Sequence, residues 1–199
     1  MGSLEPAPRD ALDLWCGSRP YEDLLPSSVR WTGLDVTNPY GVADIVTDEF
    51  LPFDDASFDL VLCTEAFYYV PDPVHGAAEI RRVLRPGGAV IITCPLVWEY
   101  DPTILEHRYT GPELASFFEG WDAVRVRENG GRAVAWATLT GRLLHVLEQR
   151  AGVLARPLFA ALYLAVNGIA AGFEAADRRY QPVHTLPMNV MVSARRPAD

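Results

Sequence analysis

Residues Asp48 to Cys94 spell a turn, a strand, a crossover helix and a second strand, and no other stretch restricts the fold so severely. Phe58 to Thr64 (FDLVLCT) is a nearly unbroken apolar run, the pattern of a strand covered on both faces in a parallel sheet. Asp72-Pro73 then supplies an N-cap and a proline at the first helical position. Val74, Ala77, Ile80 and Leu84 follow at helical spacing and predict one apolar stripe lying on the sheet. Arg81, Arg82 and Arg85 sit toward the helix C-terminus, where cations suit the dipole. Pro86-Gly87-Gly88 predicts the helix end and the turn into Ala89 to Cys94 (AVIITC), the next buried strand. Parallel strands joined by a helix form a right-handed βαβ unit. The expected fold class is therefore α/β, a Rossmann-like doubly wound sheet.

The flanking chain extends that reading. Asp10 to Trp15, Trp31 to Val36 and Ala43 to Thr47 read as three further strands, with a short helical segment at Tyr21 to Leu25. Thr110-Gly111-Pro112-Glu113 is a capping box opening a helix through Phe118. Trp121 to Arg127 alternates apolar and polar, as a half-exposed edge strand does. Helices follow over about 133–150 and 155–179, and Met188 to Ala194 returns as an antiparallel strand. The expectation is a single domain over 1–199, with seven strands, a loose arm over 1–9 and a helical insertion over 132–180.

Composition narrows function. A net charge of −9 argues against a nucleic-acid partner, which normally meets a basic face. The three cysteines, Cys16, Cys63 and Cys94, fall in or beside predicted core strands and read as reduced, buried thiols. MGSLEPAPRD holds no apolar signal region, so the expected location is cytoplasmic. The four histidines lack metal-ligand spacing, and no metal is expected.

The combination D…LPF…SFDLV…E…VPDP…EI.RVLRPGG…I resembles the class I S-adenosylmethionine-dependent methyltransferases of the small-molecule type, across roughly the first two thirds of the chain. In such sheets ligands sit at the carboxyl ends of the strands, near the switch in strand order. The resemblance implies S-adenosyl-L-methionine as cofactor. Asp35, with Val36 beside it, takes the ribose position, where a carboxylate can accept from both hydroxyls. Asp48 takes the position beside the adenine amino group, with the amides of Glu49 and Phe50 at the ring edge. Asp13, Trp15, Gly17 and Thr64 complete the expected cofactor residues. A turn aspartate capping backbone amides is the alternative for Asp35.

The first loop departs from the family pattern D-L-G-C-G-S/T-G: here Asp13-Leu14-Trp15-Cys16-Gly17-Ser18-Arg19 replaces the first and last glycines. Either Trp15 turns into a neighbouring gap and binding survives, or its indole impairs the site. A dinucleotide fingerprint needs two further glycines that the loop lacks, which excludes a nicotinamide dehydrogenase.

On the acceptor side, Tyr68-Tyr69 stands where the family often carries Glu-His. These rings line an acceptor pocket or pack under the following helix. Residues 95–100, with Trp98, and Glu106-His107-Arg108-Tyr109-Thr110 resemble a lid, the second stretch being like a segment of a subgroup associated with sugar and cell-surface polymer biosynthesis. His107 is either a general base, since an imidazole titrates near neutrality, or structural. The implied activity is methyl transfer to a small-molecule or lipid/sugar-linked acceptor, the alternative being a degenerate fold serving as a binding or scaffold subunit. Pro157 to Phe173 carries no charge, yet a membrane span needs about twenty residues. It reads as a helix packed on the domain, a homodimer face, or a peripheral contact with a membrane surface.

Overall fold

A computed structural model describes residues 7–24, 26–180 and 186–198. The expected arm lies outside the described residues over 1–6, as does Leu25. Strands β1 (Asp10–Leu14), β2 (Arg30–Asp35), β3 (Ile45–Val46), β4 (Phe58–Thr64), β5 (Leu84–Pro95), β6 (Asp122–Asn129) and β7 (Asn189–Arg195) form a seven-stranded sheet in the order β3-β2-β1-β4-β5-β7-β6. The first five in that order run parallel. β7 is antiparallel: Gly87 N–H donates to the Arg196 carbonyl at 2.9 Å, and Arg196 N–H donates to the Gly88 carbonyl at 2.8 Å. The chain winds outward from β1 to β3, then starts again at β4, so the order switches between β1 and β4.

Period-two alternation divides the core between the two faces. Leu12, Leu14, Val61, Cys63, Val90 and Ile92 enter the large cluster, while Ala11, Leu60, Leu62 and Ala89 enter a smaller one. Leu60 to Cys63 are all buried, as the apolar run requires.

Helix α1 (Pro73–Val83) begins at Asp72, whose carboxylate accepts from the Val74 and His75 amides at 3.1 and 3.0 Å. Its buried stripe is Gly76, Ala77, Ile80 and Val83; Val74 is exposed. That corrects the expected stripe, because the helix phase set by Ala77 and Ile80 places Val83 inward and Val74 in solvent. The Pro86-Gly87-Gly88 turn is also displaced. β5 begins at Leu84, and the register with β4 jumps from Phe58↔Leu84 to Leu60↔Ala89, absorbing these residues as a bulge. Helix α2 (Gly111–Ser116) carries the expected capping box. β6 ends the sheet and is exposed along most of its length on both faces, rather than half-buried.

Two compact units are distinguished by their internal contacts. One holds residues up to Cys94, Asp101–Arg127 and the chain from Met191; the other holds Pro95–Tyr100 and Glu128–Val190. In the second, helices α3 (Arg132–Ala151) and α4 (Arg156–Tyr180) lie antiparallel, with Tyr163 Oη donating to Glu148 at 3.3 Å near their junction. Among the described residues of α4, only Phe159, Ala170 and Glu174 are buried.

Candidate ligand site at the strand ends

The loop leaving β1 keeps a glycine-type backbone with few glycines. Trp15, Gly17 and Arg19 have φ of 57°, 52° and 54°. For the tryptophan and the arginine this left-handed geometry costs about 1–2 kcal/mol each. Nothing stands within 4 Å of where a Cβ on Gly17 would lie, so the loop is open there.

Side-chain contacts offset that strain. The Trp15 indole packs half-buried against the main core, 5.7 Å from the Phe50 ring centroid. The Arg19 guanidinium pairs with Asp44 and lies 3.8 Å from Glu22. A Cβ on Gly33 would stand 2.5 Å from Arg19 Nε, so only glycine in β2 leaves room for this arginine. Asp44 also accepts from the Gly33 amide at 2.8 Å. Arg19 and Asp44 were not anticipated as a pair. The glycine inside the β2 pattern was the available signal, because such a glycine marks close approach of another group.

Asp35 ends β2 with its carboxylate turned to this loop. One oxygen accepts from Gly17 N–H at 2.9 Å and the other from Val36 N–H at 2.7 Å. The oxygen that takes the Val36 amide also accepts from Thr37 N–H at 3.4 Å, so the amide-capping role is present and the oxygen facing Gly17 retains a second lone pair. Asp13 lies beneath, fully buried, with no hydrogen-bond partner on either oxygen. Burial pushes its carboxyl up to about 7, with Asp35 and Glu22 adding and Arg19 opposing.

Asp48 and Glu49 are exposed, and the Glu49 amide donates to Thr47 Oγ1 at 3.0 Å. Phe50 joins this segment to the first loop through Trp15. Thr64 is half-buried at the end of β4; next to it Glu65 takes φ 53°, and its amide donates to the Thr93 carbonyl and Oγ1, both at 2.9 Å.

A second group gathers after β4. The Tyr68 ring is 4.1 Å from that of Tyr69, and its buried hydroxyl donates to Tyr69 Oη at 2.8 Å. Burial, then that hydrogen bond, raises the Tyr68 phenol well above its usual value. His107 N–H donates to the Tyr68 carbonyl at 2.9 Å, its ring stacks on Tyr109, and its buried Nε2 has no partner. Arg108, paired with Glu106 at 2.7 Å, covers the Tyr68 ring. The structure thus joins Tyr68, Tyr69 and His107. Trp98, expected beside them, belongs to the second compact unit. The three thiols are free and buried, and burial pushes Cys94 up to about 12.

Comparisons with known proteins bear on this arrangement. The family described as "Methyltransferase domain" matches residues 23–92. Among curated relatives, 27-O-demethylrifamycin SV methyltransferase of Amycolatopsis mediterranei is 36% identical over 98 residues, covering 49% of this chain and 30% of that protein. Phthiotriol/phenolphthiotriol dimycocerosates methyltransferase 1 of Mycobacterium ulcerans is 51% identical over 45 residues, covering 23% and 17%. These alignments span less than a third of either relative. Among solved structures, phosphoethanolamine N-methyltransferase 2 of Haemonchus contortus, in complex with phosphomonomethylethanolamine and S-adenosylhomocysteine, superposes at TM-score 0.61 with 17% identity over 98% of this chain and 50% of that one. The [4+2]-cyclase SpnF superposes at 0.60 with 18% identity, over 99% and 77%. At such identities the likeness is one of fold.

Proposed function

We propose that this chain carries a class I S-adenosylmethionine-dependent methyltransferase domain and transfers the cofactor's methyl group to a small-molecule or lipid/sugar-linked acceptor. The observation that carries the reading is the loop after β1. Trp15, Gly17 and Arg19 keep left-handed geometry although two of them are not glycine, and Asp35 holds the Gly17 amide.

The residues present fit the cofactor. Open space at Gly17 admits a ligand against the backbone, and the Asp35 oxygen that faces Gly17 keeps acceptor capacity for a ribose hydroxyl. The unpartnered Asp13 carboxyl supplies buried acidity beneath the loop. Asp48, Glu49 and Phe50 border the base, with Val36 and Thr64 at the neighbouring strand ends. When bound, S-adenosylmethionine supplies an electrophilic methyl group on a sulfonium.

The chain's own contribution is placement and exclusion of water. Tyr68 and Tyr69 offer an aromatic wall whose outward hydroxyl is that of Tyr69, since Tyr68 donates to it. His107 carries a buried, unpartnered Nε2 that can hold a proton lost by an acceptor hydroxyl where the acceptor's approach uncovers it. Relatives named for a rifamycin and for phthiotriol dimycocerosates support an acceptor that is a bulky small molecule or a lipid.

A second reading, a binding subunit that has given up catalysis, is favoured by the Trp15 indole lying against Phe50. Thermal melting with S-adenosylhomocysteine separates the two. At a hundredfold excess over Kd, binding adds about 2.7 kcal/mol, a Tm rise of about 5–10 °C. That rise, abolished by Asp35→Ala, supports the enzyme; no rise at millimolar ligand supports the binding subunit.

A further inference from the structure

We propose that the tip of the α3–α4 hairpin seats this protein on an anionic lipid surface. The two helices are joined through Gly152, in left-handed geometry at φ 79°, and a single helical turn over Val153–Ala155. Leu154 on that turn is 98% exposed, and Val153 and Leu158, its neighbours along the chain, are exposed too. An isolated exposed leucine is ordinary, but a cluster of exposed apolar residues at one helix–helix turn is not.

Charge selects the occupant. Arg150 and Arg156 flank the turn on either side, both exposed. Residues 143–164, beyond Arg142, which pairs with Glu99 at 2.9 Å, hold Arg150 and Arg156 against Glu148, a local charge of +1 in a chain of −9. The remainder therefore carries −10. A patch of apolar side chains flanked by two exposed arginines, on an otherwise acidic protein, is complementary to an anionic headgroup layer over acyl chains. The arginines can extend their heads to lipid phosphates while their stems lie along the apolar surface. A second copy is less well matched: a two-fold contact at the tip sets Arg150 and Arg156 against their own counterparts.

The helix behind the tip agrees. Val153–Ala176 has a mean hydropathy of 1.6 over its apolar window, and only 11% of that window is buried. By length and composition it suits a span, but α3 packs antiparallel to it and carries Arg142, Glu148 and Arg150. Hydrocarbon excludes such charges, so the hairpin rests at the interface with its tip inserted rather than crossing.

The test is co-sedimentation of the full chain with vesicles of phosphatidylcholine alone or mixed equally with phosphatidylglycerol. Binding to the mixed vesicles, at least about tenfold weaker to phosphatidylcholine, is expected. Leu154→Glu/Leu158→Glu lowers it about tenfold or more, and Arg150→Ala/Arg156→Ala lowers it about fivefold per arginine. Unchanged melting verifies that the variants fold. Protein left in the supernatant with mixed vesicles, or leucine and arginine variants that bind like the parent, overturns the proposal. So does light scattering that finds a dimer dispersed by the leucine variant without vesicle binding, which assigns the tip to a second copy.

Discussion

The Asp35 carboxylate holds the Gly17 amide at 2.9 Å, tying the exit of β2 to the loop after β1. That contact fixes the loop geometry and the acidic side chain together at the carboxyl ends of β1 and β2. Arg19 adds a second tie from the same loop to Asp44, across Gly33.

Gly33→Ala is expected to destabilise the protein by about 1 kcal/mol or less, since the new methyl displaces the flexible Arg19 guanidinium from half-exposed Asp44. In an Arg19→Gly background most of that cost is absent, the coupling that contacting residues show. Urea unfolding of the four proteins in this cycle checks it. Simple additivity would show that the guanidinium does not depend on the missing Cβ.

Asp13 makes stability fall as pH rises. Its folded carboxyl titrates at about 7 against the usual 3.8, so the folded chain binds more protons than the unfolded chain between those values. Stability present below about pH 4 is progressively lost through pH 7, by about 2–3 kcal/mol between pH 5 and pH 8. Asp13→Asn, neutral throughout, removes this slope. Denaturant midpoints at the two pH values, parent against variant, measure it.

Arg82 fastens the segment after the Asp48–Phe50 loop. Its guanidinium donates to the Leu51 and Phe53 carbonyls at 3.0 and 2.6 Å and also contacts Glu79 and Asp55. Arg82→Met leaves the two carbonyls without this partner and costs about 1–3 kcal/mol. Proteolysis of the 48–56 segment should accelerate in the variant; equal rates would refute the fastening role.

Tyr68→Phe deletes the hydroxyl that donates to Tyr69, at a cost of about 0.5–1.5 kcal/mol. It should leave cofactor affinity unchanged. Parallel melting and ligand titration read both quantities, and a fall in cofactor affinity would move Tyr68 out of the acceptor group.

Much of the fold was legible because βαβ geometry writes itself in apolar periodicity and caps: Asp72 and Thr110 cap their helices as read. What failed was tertiary. Val74 sits on the helical spacing but points to solvent, because the sheet meets the helix on the Ala77, Ile80 and Val83 side. Val124 and Val126 alternate as if half-buried, yet β6 ends the sheet and both stay exposed among the described residues. The placement of Asp35 at the end of β2 was readable from the strand pattern. The Arg19–Asp44 pair was not, because the two are 25 positions apart and meet only once β1, β2 and β3 align.

The central claim is cofactor binding at the loop after β1. Calorimetric titration of the parent, Trp15→Gly and Asp35→Ala with S-adenosylmethionine and S-adenosylhomocysteine tests it most directly. The account predicts Kd on the order of micromolar for the parent, weakened about tenfold or more by Asp35→Ala through loss of charge-assisted hydrogen bonds. Absence of binding by the parent, with binding gained on Trp15→Gly, would contradict it and show that the indole has closed the site.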